Sequence, residues 1–196
     1  ESFLSVDTFF ALSEVQLFTE IVDYMDKNPG KIDKNYREVY KDLRKFIDLC
    51  HQDGSIKNKV IRHPEQYIEK DKHLPQTLIR LIDAGKNVFM LTNSDWEYTN
   101  HIMNYILNEA HTDYPNWKDY FDFIGVGAGK PGFFNGSQRF YEIVNDDGLL
   151  KPHKGELESS AVYYGGNAKL YQELSGYKGA EILYVGDHIY GDIARS

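Results

Sequence analysis

The sequence predicts an α/β fold, a Rossmann-like parallel sheet preceded by a largely helical segment. Three observations carry this. Apolar residues up to Gln52 recur at helical spacing between recognisable stop signals. From Leu74 onward, helical stretches alternate with short apolar runs of the kind that form strands buried on both faces. Several of these runs end in loops of glycine, hydroxyl, amide or carboxylate residues, at the sheet edge where open α/β folds bind ligands.

The elements follow in order. Ser13 with Gln16 forms a capping-box pattern, and Val15, Phe18, Ile21, Val22 and Met25 line one face of the helix behind it. Asn28-Pro29-Gly30 stops that helix. A second is expected from about Tyr36 to Gln52, burying Val39, Tyr40, Leu43, Phe46, Ile47 and Cys50, with Asp53-Gly54-Ser55 as its end. Pro75 opens a third, which carries Leu78, Ile79 and Ile82 and closes at Gly85. Val88-Phe89-Met90-Leu91 reads as a buried strand, followed by a helix from about Asp95 to Ala110. Further strands are expected at Phe121 to Val126, Ala161 to Tyr164 and Ile182 to Val185. Between them, Asn135 to Ser160 is polar and reads as a long excursion with a short helix or hairpin. The expected division is a helical segment at 1–73 and an α/β core at 74–196.

Composition narrows the function. With 41% hydrophobic and 14% aromatic residues the chain can bury a substantial core. A formal charge of −8 argues against a nucleic-acid polymer as partner. The charge is uneven: Lys31 to His73 holds 11 Lys/Arg against 8 Asp/Glu, a local +3 suited to an anionic substrate or to a solvated helical surface. Cys50 is the only cysteine, so neither an internal disulfide nor a Cys-rich zinc pattern is available. No apolar stretch approaches the ~20 residues that span a bilayer, and Glu1-Ser2-Phe3-Leu4 lacks the basic start of a signal peptide. The expected setting is a reducing cytoplasm, away from membranes.

Three strand-following loops carry chemistry. Thr92-Asn93-Ser94-Asp95 offers hydroxyls and an amide at a helix start, which is either a phosphate cradle or simply a helix cap. Gly127-Ala128-Gly129-Lys130-Pro131-Gly132 places one lysine among residues that let backbone pack closely, so its ammonium can reach an anion. Gly186-Asp187 and Asp192 put two carboxylates five positions apart, a fit for Mg²⁺ or a polar turn with Asp192 starting a helix. Arg44, Asp48 and His51 share one stripe of the second helix, with Lys57 just beyond its end. They form either a set of donors and acceptors for a heterocycle or a surface ion pair.

Hydroxyl loop, lysine loop and Gly-Asp-x4-Asp, in that order, resemble the second, third and fourth motifs of the haloacid-dehalogenase superfamily of phosphotransferases. The resemblance narrows at Leu91-Thr92-Asn93-Ser94-Asp95 with Tyr98-Thr99, Lys130-Pro131 before Phe133-Phe134, Tyr163-Tyr164-Gly165-Gly166, and Ile182 through Ile193. These look like the cytosolic purine 5′-nucleotidases of the IMP/GMP-preferring type, and the likeness runs through nearly the whole chain, including Phe3 to Phe10 and Leu43 to Lys57.

The resemblance implies a parallel sheet of the haloacid-dehalogenase type, with 1–73 as a cap that sets substrate specificity. It implies Mg²⁺-dependent hydrolysis of purine nucleoside 5′-monophosphates, IMP and GMP, through an aspartyl-phosphate, in a homo-oligomer. Thr92 and Asn93 would contact the transferred phosphate, Lys130 would neutralise it, and Ser94 would help place the nucleotide. Asp187 would ligate the metal, with Asp192 holding either Lys130 or the metal shell. Phe10 would stack on the base, and Arg44, Asp48, His51 and Lys57 would bind the nucleotide. The family's DxDx[TV] nucleophile motif is absent; Val6-Asp7-Thr8 comes nearest and lacks the second aspartate. The nucleophile and acid/base aspartates are therefore expected upstream, the chain is expected to be part of a longer protein, and alone it is expected to be inactive. A phosphatase for another small phosphate ester, and a nucleotide-binding protein without catalysis, are the competing readings.

Overall fold

The computed structural model describes residue 6 and residues 11–193, the Tyr190 side chain excepted. Two compact units emerge: residues 1–59 with 187–189, and residues 60–186 with 190–196.

The first unit contains α1 (Leu12–Lys27) and α2 (Tyr36–Gln52). Helix α2 begins on a reciprocal box: the Asn35 side chain accepts from the Glu38 N–H at 3.0 Å, and Glu38 accepts from the Asn35 N–H at 2.9 Å. Helix α1 does not use the expected Ser13–Gln16 box. Its helical residues start at Leu12, so Ser13 already lies inside the helix, and Gln16 donates instead to Glu20 at 3.0 Å. The two helices meet where Phe18 packs edge-on against Tyr40, centroids 5.3 Å apart. Arg44 ties them further, bonding Glu14 of α1, which is buried, as well as Asp48 of its own helix. Short helix α3 (Lys57–Arg62) runs across the division at residues 59 and 60, and α4 (Pro64–Tyr67) belongs to the second unit.

The second unit is α/β. In chain order it holds α5 (Leu74–Asp83), β1 (Phe89–Leu91), α6 (Trp96–Leu107), β2 (Phe123–Val126) and α7 (Gly132–Asn135). Then come β3 (Phe140–Ile143), β4 (Leu150–Pro152), β5 (Val162–Gly165) and α8 (Ala168–Ser175). The strands form one sheet in the order β1-β2-β5-β3-β4. Strands β1, β2 and β5 run parallel, whereas β3 is antiparallel to both β5 and β4. The sheet is therefore mixed, not wholly parallel. The cause is a turn: Gly148, at φ +79°, donates to Asn145 O at 3.0 Å, and the Asn145 side chain accepts from Leu149 N at 2.9 Å. That closes β3 and β4 into a hairpin, whose strands must oppose one another. The polar excursion of the sequence is this hairpin.

A second correction concerns residues 182–185, expected as the last buried strand. They belong to no strand, and Leu183 and Val185 are 83% and 81% exposed. An apolar run becomes a strand only when a neighbour satisfies its backbone, and among the described residues this run has no ladder partner. Among the described residues, strand β1 has β2 as its one ladder partner and lies at the sheet edge.

Strand β2 is buried on both sides. On one side Ile124, Val126 and Val162 pack with Trp96, Leu107, Trp117, Tyr120 and Phe121. On the other, Phe123 and Tyr163 pack with Phe133 and Phe140, and rings Phe123 and Tyr163 stack 5.5 Å apart. Two aromatic-rich layers thus fix β1 and β2, and with them the loops at their carboxyl ends.

Candidate active site

The loops after β1 and β2 are joined to each other. Thr92 N–H donates to Gly125 O at 2.9 Å, Ala128 N–H to Thr92 O at 3.0 Å and Gly127 N–H to Ser94 O at 2.7 Å. Gly127 allows this approach: its φ is +54°, and a Cβ there would overlap the Tyr164 ring. Asn93 completes the junction by clasping the backbone of Lys130, accepting from its N–H at 2.6 Å and donating to its carbonyl at 3.0 Å. The hydroxyl–amide loop and the lysine loop, read as separate features in the sequence, are therefore one rigid ledge.

Helix α6 rises from this ledge. Its N-terminus is capped by Asp95, whose carboxylate accepts from Tyr98 N–H at 2.8 Å. A negative charge already occupies the helix end, so an anion would be met by the ledge rather than by the helix terminus. Thr92 Oγ1 accepts from Ser94 N–H at 3.1 Å, which orients the hydroxyl within the loop.

Lys130 is the centre of the arrangement. Its side chain is only 12% exposed, and its Nζ donates to Leu91 O at 3.3 Å and to the Tyr184 hydroxyl at 2.8 Å. It also lies 2.8 Å from Asp192 Oδ1, on a carboxylate whose side chain is 6% exposed. The Tyr184 hydroxyl in turn donates to the same Asp192 oxygen at 2.9 Å. Burial works against the lysine's charge, but its hydrogen bonds to Asp192 and Tyr184 outweigh that, and its pKa lies above the ordinary 10.5. The ammonium stays charged at neutral pH, buried at the carboxyl end of β1. Gly186 makes room for the carboxylate: a Cβ there would overlap Asp192 Cβ, Cγ and Oδ2.

The other candidates are placed as follows. Asp187 is exposed on a bend. Among the described residues no group of three or more His, Cys, Asp or Glu side chains converges as a metal cage; Mg²⁺ needs only one or two carboxylates beside substrate oxygens. Asp192 spends one oxygen on Lys130 and Tyr184, whereas Asp187 is a hard oxygen donor open to solvent. In the first unit, Arg44 pairs with Glu14 and Asp48, and the ring Nδ1 of His51 lies 2.8 Å from Ile47 O within its own helix. Lys57 is the first residue of α3. Phe10 lies outside the described residues. Sequence reasoning missed two participants. Tyr184 stands within an apolar run of the sequence, where a hydroxyl asks for a polar partner. Gly186 stands in the sequence only as the residue before Asp187, with nothing local to mark the close approach of Asp192.

A family model described as the 5′ nucleotidase family matches residues 1–196. A 5′-nucleotidase domain-containing protein of Dictyostelium discoideum is 30% identical over 198 aligned residues, an alignment that takes in all of this chain. The chain spans about a third of that relative's length, 33%.

Proposed function

Because this chain belongs to the 5′ nucleotidase family, we propose that it is part of an enzyme that hydrolyses nucleoside 5′-monophosphates, with purine nucleotides, IMP and GMP, as substrates. The observation that carries the reading is the Lys130 ammonium, held charged and largely buried by Leu91 O and Asp192 at the carboxyl end of a parallel strand. A fixed cation in a water-poor setting stabilises charge developing on a transferring phosphoryl group.

The ledge supplies the surroundings. The Thr92 hydroxyl faces the same loop junction, and the Asn93 clasp keeps Lys130 in register with it. On the geometry, Asn93 serves the reaction by positioning Lys130. The sheet is read as the haloacid-dehalogenase type, its nucleophile carried by an aspartate outside this chain. That carboxylate oxygen would bond to phosphorus as the ester P–O bond breaks, with a second aspartate protonating the departing nucleoside oxygen. Water would then release phosphate and restore the carboxylate. Asp187 would hold Mg²⁺, with Asp192 committed to Lys130; when bound, the ion supplies charge stabilisation and orientation of the phosphate. Residues 1–73 act as the specificity segment in this reading. In this reading the protein acts in the cytoplasm as a homo-oligomer. Among the described residues no helix is long and apolar enough to cross a membrane.

The test is Mg²⁺-dependent phosphate release from IMP by the full-length protein, beside Asp187→Asn. Release that needs both the ion and Asp187 is expected; no release from IMP, GMP or AMP would sink the nucleotidase reading. One observation favours a second reading, a phosphatase for a different small phosphate ester. Arg44 and Asp48 bond each other and His51 bonds its own helix, so a purine would have to exchange these contacts. No turnover of IMP, GMP or AMP, together with turnover of another phosphate ester that Asp48→Ala leaves intact, would select it.

A further inference from the structure

Lys130 carries three N–H donors and meets three acceptors: Leu91 O, Asp192 Oδ1 and the Tyr184 hydroxyl. Two of these are expected of a buried lysine at a strand end, a backbone carbonyl and a carboxylate. The third is a phenol from a segment that forms no strand. Its neighbours in sequence, Leu183 and Val185, face solvent, yet Tyr184 itself turns inward. Its ring lies nearly parallel to Phe89 of β1, with centroids 6.2 Å apart, and edge-on to Phe134 of α7 at 5.4 Å. The ring is thereby fixed by two elements while the hydroxyl accepts from Lys130 and donates to Asp192. A hydroxyl is suited to this place because it accepts and donates at once. An apolar ring there would leave one lysine donor and one side of the buried carboxylate less satisfied.

We propose that Tyr184 is a positioning residue of the phosphoryl-transfer site: bridging Lys130 and Asp192, it fixes the ammonium in the direction from which it meets the substrate phosphate. The inference rests on the nucleotidase reading for its reaction, but the bridge itself is independent of the substrate. Tyr184 does not bind the nucleotide. Its contribution is made through Lys130, so it bears on turnover rather than on the affinity for IMP.

The experiment uses Tyr184→Phe in the full-length protein, which keeps the ring packing and deletes only the bridging oxygen. Three quantities are read: kcat and KM for IMP with saturating Mg²⁺, the midpoint of thermal unfolding, and the rate at which an amine-reactive acylating reagent modifies Lys130, followed by mass spectrometry with Lys118 and Lys169 as internal references. The expected result is a kcat about tenfold lower, from loss of preorganisation, with KM within about twofold and the midpoint nearly unchanged. Lys130 should be acylated several-fold faster while the reference lysines keep their rates. In a Lys130→Ala background, Tyr184→Phe should lower kcat no further. Unchanged kcat with unchanged Lys130 labelling would overturn the proposal. So would a lowered midpoint with faster labelling of all three lysines, which marks a merely structural role. If the unaltered protein releases no phosphate from IMP, the nucleotidase reading fails by that control alone, and selective acceleration at Lys130 still decides whether Tyr184 holds it.

Discussion

Strand β1 and the segment 182–185 both bring an acceptor to the Lys130 ammonium, but they do so by opposite means. Strand β1 offers a backbone carbonyl, Leu91 O, placed by its ladder to β2 and by the Thr92–Gly125 bond just beyond it. The later segment has no ladder and offers a side chain, Tyr184, placed by packing on Phe89 and Phe134. A ladder positions every atom of a strand at once. An anchored ring positions one group and leaves its neighbours outside, as Leu183 and Val185 are. The difference shows that a side chain need not sit on a regular element to be held at hydrogen-bond precision. It needs a rigid body and two partners.

The test that strikes both halves of this comparison together is Lys130→Met. Without the ammonium, Leu91 O, Tyr184 and Asp192 lose their common partner, and the Asp192 charge stays buried. Phosphate release from IMP should fall by about 10²–10³, and stability to denaturant should drop by about 3 kcal/mol. The double variant Lys130→Met/Asp192→Asn should recover part of that stability but none of the activity. Full activity in Lys130→Met would remove the site from this ledge altogether.

Next in size is Gly186→Ala, which acts only on the later segment. The added methyl would overlap Asp192, so either the carboxylate or the chain must shift. A stability loss of about 1–3 kcal/mol is expected from overpacking, with slower turnover because Lys130 loses its counter-charge. Were the glycine merely a strand breaker, with open space around it, alanine would be harmless, and unfolding curves would show that.

Much of this arrangement is legible in the sequence, and what is missed has a common cause. The strands at Phe89, Phe123 and Val162 and helix α2 announce themselves by local apolar pattern, although Phe46, expected on the buried face of α2, is 57% exposed. Lys130, Thr92 and Asp192 are legible as polar residues in loops between elements, although a helix cap or a polar turn uses the same residue types. The β3–β4 hairpin is half hidden: Asn145-Asp146-Asp147-Gly148 is a turn signal, but the direction in which β3 docks on β5 is a tertiary choice. The state of 182–185 is hidden completely, because a run of apolar residues does not say whether a neighbouring strand is present to receive it. The Asn93 clasp and the Tyr184 bridge fall in the same class, joining residues 37 and 54 positions apart through Lys130.

A smaller effect sharpens the question of that neighbour. With side chains in solvent, Leu183→Ser and Val185→Ser should each change the stability of the 196-residue chain by no more than about 0.5 kcal/mol. Phe89→Ala on the ordered side should cost about 3 kcal/mol, since that ring packs against Tyr171 and Tyr184. The same serine substitutions made in the full-length protein measure whether the segment gains a neighbour there. A loss of about 2 kcal/mol in that setting would mean that 182–185 is completed as a buried strand.

A last effect is confined to alkaline solution and reports on how firmly β1 is held from below. Tyr171 of α8 packs on Phe89 at 5.7 Å and on Phe123 at 4.8 Å. Burial first, then the nearby Tyr177 and Asp122, push its phenol up to about 12. Because the folded value exceeds the unfolded one near 10, the unfolded chain loses this proton first as pH rises. Its contribution to stability is therefore complete below pH 10 and is lost between there and about 12. Phenolate absorbance should lose a late-titrating component in Tyr171→Phe, and the variant's stability should fall less steeply across that interval. A phenol titrating at the ordinary value would mean that water reaches the ring, and that β1 is held only by its ladder to β2.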